Sequence, residues 1–365
     1  MKKGTLLLCA AFLLMAITSC SNKGSNPTPP VNPTGGFSNV TYAGAGNFSV
    51  ARSNLAAAGA SGSIFFVGGS ADNGATFSST VDVYNIIQNL WYTGNVSEAR
   101  YMLAGAATNS RVVFAGGKGA KGLSKTVDMY DLIKNIWITA QLSEARAGLA
   151  GGSAGIYVLF AGGTNAAGVS DVVDIYNSTS NTWTTAKLSV ARTNFAAATA
   201  GNKILFAGGN DANGNAVNTV DIFDTATQSW STATLSTAKS HLAGAGAGNT
   251  AIFAGGQNGA GLSNTADIYN ADNNTWTASQ ISEARTDLAA SGIPNKILFG
   301  GGYKGAASST AVDIYDITTN KWSVVQLNNG RNLLAAAGSQ FDIIFAGGQS
   351  TDGQSKVADL FALSN

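Results

Sequence analysis

Residues 146–192 read RAGLAGGSAGIYVLFAGGTNAAGVSDVVDIYNSTSNTWTTAKLSVAR, and the same arrangement recurs along most of the 365-residue chain. The stretch starts at a basic residue, passes an apolar run that ends in Gly-Gly, and then carries an aromatic residue with a Trp seven positions later. Equivalent Gly-Gly pairs are 46 to 48 residues apart and begin at Gly68, Gly116, Gly162, Gly208, Gly255, Gly301 and Gly347. A repeat of this length indicates a solenoid or a propeller, because each unit buries its apolar faces against its neighbours.

Three further markers keep fixed distances within the repeat. A basic residue stands 16 positions before each Gly-Gly pair, at Arg52, Arg100, Arg146, Arg192, Lys239, Arg285 and Arg331. The six Trp lie nine positions before the next basic residue, at Trp91, Trp137, Trp183, Trp230, Trp276 and Trp322. An aromatic residue precedes each Trp by seven positions, at Tyr84, Tyr130, Tyr176, Phe223, Tyr269 and Tyr315. The Gly-Gly pair, the basic residue, the aromatic residue and the Trp thus keep their spacing from one repeat to the next, which is not expected by chance. The chain therefore contains seven copies of one unit.

Each unit contains four predicted strands. The first strand, for example 54–58, is made of small residues in alternation, and the second, for example 64–67, is continuously apolar, as expected for a strand buried on both faces. The third carries Val-Asp-x-Tyr, as in 81–84, and the fourth carries the Trp. Short strands joined by Gly-rich turns at this period predict the four-stranded antiparallel blades of an all-β propeller, with the small strand next to the axis.

The order Gly-Gly, Tyr, Trp, Arg and a small-residue strand resembles the kelch motif, whereas the Gly-His and Trp-Asp marks of WD40 repeats are absent. The resemblance covers residues 38–365 and implies a seven-bladed kelch-type β-propeller. The seventh unit ends after Phe361 without a Trp strand. We therefore expect residues of about 38–48 to supply the missing strand and to complete the C-terminal blade, with Ala43 in the register of the Trp.

The first twenty residues have the features of a secretory signal, with a basic start at Lys2-Lys3 and an apolar segment over 6–17. Ile17-Thr18-Ser19-Cys20 resembles the lipobox of bacterial lipoproteins, which implies that Cys20 is lipidated and begins the mature protein. Residues 21–36 contain four of the five prolines and predict a semi-rigid tether, followed by the propeller at 37–365. We expect an extracytoplasmic protein anchored through its lipid alone. Ser21 in place of Asp favours the bacterial outer membrane.

Composition narrows the classes of ligand. Charged residues make up 11% of the chain and the net charge is +1, so we expect no nucleic-acid partner, because binding nucleic acid needs a concentrated basic face. The chain has two Cys and one His, and Cys9 lies in the segment expected to be removed. This count excludes a Cys/His zinc site, and we expect neither a metal nor a cofactor, in a monomeric protein.

The repeated charges have two interpretations. The basic residues could form an anion-binding ring around the mouth of the channel, or they could pair one-to-one with seven repeated carboxylates, because buried charges need partners. Those carboxylates are Asp82, Asp128, Asp174, Asp221, Asp267, Asp313 and Asp359. We favour the structural pairing. Three Glu two positions before an Arg, at Glu98, Glu144 and Glu283, could act as acids or bases, but we expect them to be solvated loop charges.

Positions that vary between repeats are better candidates for a binding site. Two residues after each basic residue the chain shows Asn54, Met102, Gly148, Asn194, His241, Asp287 and Leu333. If this position faces the channel, blades four to six place Asn194, His241 and Asp287 side by side, with Lys239 and Arg285 close by. We consider these five residues a candidate site for a small acid or a carbohydrate.

Two functions follow from these observations. The first is a binding or scaffolding module for a protein or a carbohydrate ligand, which is what the near-identical blades and the kelch resemblance imply. The alternative is a metal-independent sugar mutarotase similar to the N-acetylneuraminate epimerases, in which a carboxylate and a ring Arg would serve the reaction. A copper site like that of galactose oxidase needs two His, and this chain has one. Seven equivalent charge pairs would favour the first function, and one unpaired Arg beside a carboxylate the second.

Overall fold

Each repeat forms one four-stranded antiparallel sheet in the computed structural model, and residues 39–72 and 74–364, which the structure describes, contain seven such sheets. The sheets are the blades of the predicted all-β propeller. No helix long and apolar enough to cross a membrane occurs among the described residues. The expected signal segment, Cys20 and the tether over 21–36 lie outside them.

In blades one to six the four strands follow one another outward from the axis in chain order. Blades one and two comprise β2 (Ala56–Ala60), β3 (Ser63–Val67), β4 (Thr80–Asn85), β5 (Leu90–Asn95), β6 (Ala104–Ala107), β7 (Arg111–Ala115), β10 (Thr126–Asp131) and β11 (Ile136–Gln141). Blades three and four comprise β12 (Ala150–Ala154), β13 (Tyr157–Ala161), β16 (Val172–Asn177), β17 (Thr182–Lys187), β18 (Ala196–Ala200), β19 (Lys203–Ala207), β20 (Thr219–Asp224) and β21 (Ser229–Thr234). Blades five and six comprise β22 (Ala243–Ala247), β23 (Thr250–Ala254), β26 (Thr265–Asn270), β27 (Thr275–Gln280), β28 (Ala289–Ile293), β29 (Lys296–Gly300), β30 (Ala311–Asp316) and β31 (Lys321–Gln326).

Blade seven joins the two ends of the propeller. Its strands are β32 (Ala335–Ser339), β33 (Asp342–Ala346), β36 (Val357–Ser364) and, at the outer edge, β1 (Asn39–Asn47). Four blades carry a two-residue hairpin between their second and third strands, formed by β8 (Lys118–Gly119) with β9 (Gly122–Leu123), β14 (Thr164–Asn165) with β15 (Gly168–Val169), β24 (Gln257–Asn258) with β25 (Gly261–Leu262), and β34 (Gln349–Ser350) with β35 (Gly353–Gln354). The predicted closure by an N-terminal strand is confirmed.

The register of the closing strand differs from the prediction. Tyr42 pairs with Phe361, as Trp91 pairs with Tyr84 in blade one, and the register then shifts between Tyr42 and Gly44. The prediction that Ala43 occupies the Trp register is therefore wrong, because Ala43 is the extra residue of a β-bulge. Tyr42 contacts Phe361 edge-on with ring centroids 5.6 Å apart, at the position where a Trp packs on the opposite aromatic residue in the other blades.

Small residues on the inner strands let neighbouring blades approach closely. A Cβ added to Gly246 on β22 would lie 1.7 Å from the carbonyl oxygen of Thr199 on the adjacent blade. The second strands are buried on both faces, as their apolar sequences predict, and Phe66, Phe114 and Phe160 are completely inaccessible to solvent. Towards the rim each Trp packs on the aromatic residue opposite it, and for Tyr269 and Trp276 the ring centroids are 5.0 Å apart.

Candidate functional site

The repeated cations lie inside the blades, and each contacts the Asp of the same repeat. Arg52 lies 2.7 Å from Asp82, Arg192 lies 2.6 Å from Asp221, and the equivalent pairs in the other blades join Arg100 to Asp128, Arg146 to Asp174, Lys239 to Asp267, Arg285 to Asp313 and Arg331 to Asp359. All of these cations are 0% exposed. The predicted one-to-one pairing is confirmed, and no side chain of this set is free to form an anion-binding ring in the described part of the chain.

Each pair also connects one blade to the next. The second carboxylate oxygen of Asp174 accepts a hydrogen bond from the backbone N–H of Ser143, 2.8 Å away, in the loop that arrives from blade two. Arg146 donates to the carbonyl oxygens of Gly162 and Val172. Burial lowers the pKa of the Arg146 guanidinium, and the charge of Asp174 opposes that change. The pair therefore holds the blade-to-blade loop in place, which is a structural task.

The variable position of the repeat forms a ring at one mouth of the channel, which we call the channel-mouth ring. Its members are Asn54, Met102, Gly148, Asn194, His241, Asp287 and Leu333, and together with the Leu or Phe that follows each of them they line a depression of about 250 Å³. All of them have a left-handed backbone, with φ between 51° and 65°.

Backbone hydrogen bonds link this ring from blade to blade. The N–H of Met102 donates to the carbonyl of Asn54, that of Asp287 to His241, and that of Asn54 to Leu333, which joins blade one to blade seven. The N–H groups of Gly148, His241 and Leu333 donate in the same direction to the preceding member. Because six of the seven backbone N–H groups of the ring are used in these bonds, the side chains of the ring decide most of what the depression can bind.

The predicted polar residues of blades four to six do meet in this depression. His241 Nδ1 lies 2.9 Å from Asp287 Oδ1, and the two side chains are 32% and 26% exposed. Asn194 lines the same depression, and its amide donates to Asn210 Oδ1 at 3.3 Å. The structure does not bring Lys239 or Arg285 into the depression, because both are buried against Asp267 and Asp313. The arrangement can hydrogen-bond a polar group, with a carboxylate held in place by the imidazole.

Comparison with known proteins agrees with the geometry of the repeat. Residues 194–364 match the family model of the KLHDC2/KLHL20/DRC7 Kelch-repeats domain, and this segment contains every strand of blades four to six and three strands of blade seven. The repeats are of the kelch type. Blades one to three, which lie outside the matched segment, carry the same four sequence markers. No curated protein matches the chain.

The three loop Glu of the kelch propeller are hydrogen-bonded, which differs from the solvated charges that we expected. Glu98 accepts hydrogen bonds from Ser124 and Thr126, at 2.6 and 2.8 Å, and Glu144 accepts from Ser170 and Asn165. Glu283 accepts from Ser309, and this hydrogen bond lowers the pKa of its carboxyl despite partial burial. A carboxylate that already accepts hydrogen bonds from its neighbours is poorly suited to donate a proton.

We did not predict the left-handed conformation of the channel-mouth ring from the sequence, although the residue types at these positions indicate it. Asn, Asp, His and Gly are the residues that adopt positive φ most readily, and they occupy five of the seven ring positions. Met102 and Leu333 hold the same conformation against their intrinsic preference, at a cost of about 1–2 kcal/mol each.

Residues for a metal site are not grouped in this propeller. No cluster of three or more His, Cys, Asp or Glu side chains that could hold a metal ion occurs among residues 39–72 and 74–364. The polar side chains of the channel-mouth ring are those of Asn54, Asn194, His241 and Asp287.

Proposed function

We propose that this kelch propeller is a binding module whose partner docks on the face that carries the channel-mouth ring. The observation that supports the proposal is the pairing of each repeated cation with an Asp of its own blade. Because those charges hold the frame together, recognition has to come from side chains that differ between blades. The channel-mouth ring is where such differences face solvent.

The ring has two chemically distinct sectors. Blades four to six present Asn194, His241 and Asp287 side by side. Blades seven and two present the apolar Leu333 and Met102, with the single polar residue Asn54 of blade one between them. Met102 is 37% exposed. A depression of about 250 Å³ has room for one protruding side chain or one sugar unit, with hydrogen-bonding groups on one side and an apolar edge on the other. The proposed partner is therefore a protein loop or a carbohydrate end group with this mixed character.

Replacing His241 and Asp287, two of the three polar residues of blades four to six, should weaken binding without loss of stability. At φ near 53° glycine is the best-suited residue, so the double variant His241→Gly, Asp287→Gly should melt within a few degrees of the parent. We expect affinity for a partner, found by capture from membrane extracts or on an array of glycans and small acids and then titrated in pure form, to fall at least tenfold.

The matched control is Asn54→Gly, which removes a polar side chain from the same ring in blade one. Equal losses in the control and in the double variant would contradict a site centred on blades four to six. Unchanged affinity in the double variant would place the binding surface elsewhere on the propeller.

The alternative function, a sugar mutarotase, draws support from the 2.9 Å contact between His241 and Asp287, because such a pair can hold and move a proton. That reaction on an acidic sugar also needs a cation for the carboxylate, and no Lys or Arg lines the depression among the described residues. Mutarotation of N-acetylneuraminate, followed by NMR and abolished in His241→Gly, would replace the binding-module proposal.

The anchor forms a second part of the proposal. The lipobox-like Ile17-Thr18-Ser19-Cys20 and the Pro-rich residues 21–36 support a lipid-anchored protein in the extracytoplasmic space, held to the outer membrane of a bacterium. We expect radiolabelled fatty acid to be incorporated into the full chain and not into Cys20→Ala. Equal labelling of Cys20→Ala, or no labelling of the parent, would contradict the anchor.

A further inference from the structure

A second cavity opens at the rim of the propeller, in the wedge between blades one and two. It has a volume of about 650 Å³, within the range of small-molecule sites. Its walls include the aromatic residues Phe65, Tyr92, Tyr130 and Trp137. We call it the rim pocket, and it is separate from the channel-mouth ring.

The rim pocket exists because three repeat positions carry smaller residues in blade one. Ser63 begins β3 where blades two to four and six begin the equivalent strand with Arg111, Tyr157, Lys203 and Lys296. In blades three and four that side chain reaches across the wedge, as Tyr157 does to Phe223 and Lys203 does to Tyr269. Val83 stands where the other blades have Met, Ile or Leu. Gly94 replaces the Ala, Ser or Val of blades two to six, and an added Cβ there would meet nothing within 4 Å.

Tyr130 shows the effect of the empty wedge. It is half-buried, whereas its counterparts in the other blades, Tyr84, Tyr176, Phe223, Tyr269, Tyr315 and Phe361, are buried. Its hydroxyl lies 3.5 Å from Asn135 Oδ1, compared with 2.7 Å for the equivalent contact of Tyr269 with Asn274. An aromatic face and a weakly bonded hydroxyl are thus available to a ligand in this blade.

Blade one also adds an aromatic residue at the entrance. Tyr92 follows the Trp of its repeat, where blades three to six have Thr184, Ser231, Thr277 and Ser323. The side chain is 47% exposed, and its hydroxyl donates to Gln88 Oε1 at 2.5 Å. An exposed Tyr held by a neighbouring amide beside a cavity is suited to stack on a ligand.

The polar groups of the rim pocket are uncharged. Asn85, Gln88, Asn109 and Asn135 line it, and in the described part of the chain their side-chain NH2 groups have no hydrogen-bond partner. Its lining contains no Asp, Glu, Lys, Arg or His among the described residues. An ionic ligand would lose its hydration here without gaining a counter-charge.

From these features we infer that the rim pocket binds a neutral carbohydrate. The apolar C–H face of a sugar ring packs on aromatic rings such as Tyr92 and Trp137, and its hydroxyls pair with carboxamide donors and acceptors. This site is independent of the proposed function, because it lies at the rim of the propeller and shares no residue with the channel-mouth ring.

The test uses the full-length chain, purified in a detergent without a sugar headgroup. It is applied to an array of neutral glycans, and the strongest hit is then titrated by calorimetry. Tyr92→Thr copies the residue of blades three and five and leaves the fold unchanged, while Gly94→Leu fills the pocket where space is free. We expect a neutral saccharide to bind with a Kd of about 1 mM or tighter. Tyr92→Thr should weaken binding at least tenfold, and Gly94→Leu should abolish it.

Two controls locate the effect. Tyr303→Thr removes a similarly exposed Tyr from blade six, and the His241→Gly, Asp287→Gly variant removes two polar side chains of the channel-mouth ring. Both should bind the saccharide as the parent does. The inference is overturned if no neutral glycan binds, if binding survives both rim-pocket variants, or if the apolar probe indole binds there and saccharides do not.

Discussion

Replacing Arg146 with Met is expected to lower the free energy of unfolding by about 3–5 kcal/mol, because the buried Asp174 would lose its counter-charge. The change would also remove donors from the buried carbonyl oxygens of Gly162 and Phe160 and from the partly buried carbonyl oxygen of Val172. Urea unfolding, followed by tryptophan fluorescence and circular dichroism, measures the loss.

Two matched variants separate charge from shape. Arg146→Lys keeps the charge, as Lys239 does in blade five, where Nζ lies 2.8 Å from Asp267, and should cost less than half as much as Met. Adding Asp174→Asn to Arg146→Met removes the unpaired charge and should restore part of the stability. A Met variant as stable as the parent would show that the repeated pair does not hold the frame together.

Trp276→Ala should lower the free energy of unfolding by about 3–5 kcal/mol. Trp276 packs against Tyr269, with ring centroids 5.0 Å apart, and against Phe253 at 6.3 Å, at the junction of blades four and five. Removing the indole leaves a cavity that the stiff neighbouring strands cannot fill. The same urea titration measures this loss.

Tyr42→Ala provides the comparison within the same repeat position. Tyr42 occupies the Trp register of blade seven, but it is 44% exposed and buries less apolar surface. Its removal should therefore lower the free energy of unfolding less than that of Trp276. Equal losses for the two variants would contradict that prediction.

The features that we predicted correctly from the sequence are those that follow from the spacing of the repeated residues. The period and the fixed distances placed the blades, and seven cations with seven carboxylates predicted pairs such as Arg52 with Asp82. Spacing placed Ala43 wrongly in the register of the Trp, because a β-bulge adds one residue to a strand without changing its composition. Spacing along the chain also does not indicate how deeply a side chain is buried. We therefore grouped Lys239 and Arg285 with His241, although both cations are buried inside the blades.

The two cavities illustrate a further limit. The residues of the channel-mouth ring were found from the sequence because they share one repeat position. The rim pocket arises from Ser63, Val83 and Gly94, which occupy three different positions on three strands. Each is an ordinary small residue by itself. Only the pairing of β3, β4 and β5 brings them to one wall, opposite Tyr130 of the next blade.

The pairing of β1 with β36 has a consequence for the order in which the protein can be completed. Asn39 lies opposite Ser364, and Tyr42 Oη donates to Asp359, which is 317 positions later in the chain. A ribosome makes β1 before every other strand and its partner after every other strand. The first strand of the propeller, β1, therefore has no native partner until β36 has been made. A chain that is interrupted before residue 357 cannot close the ring.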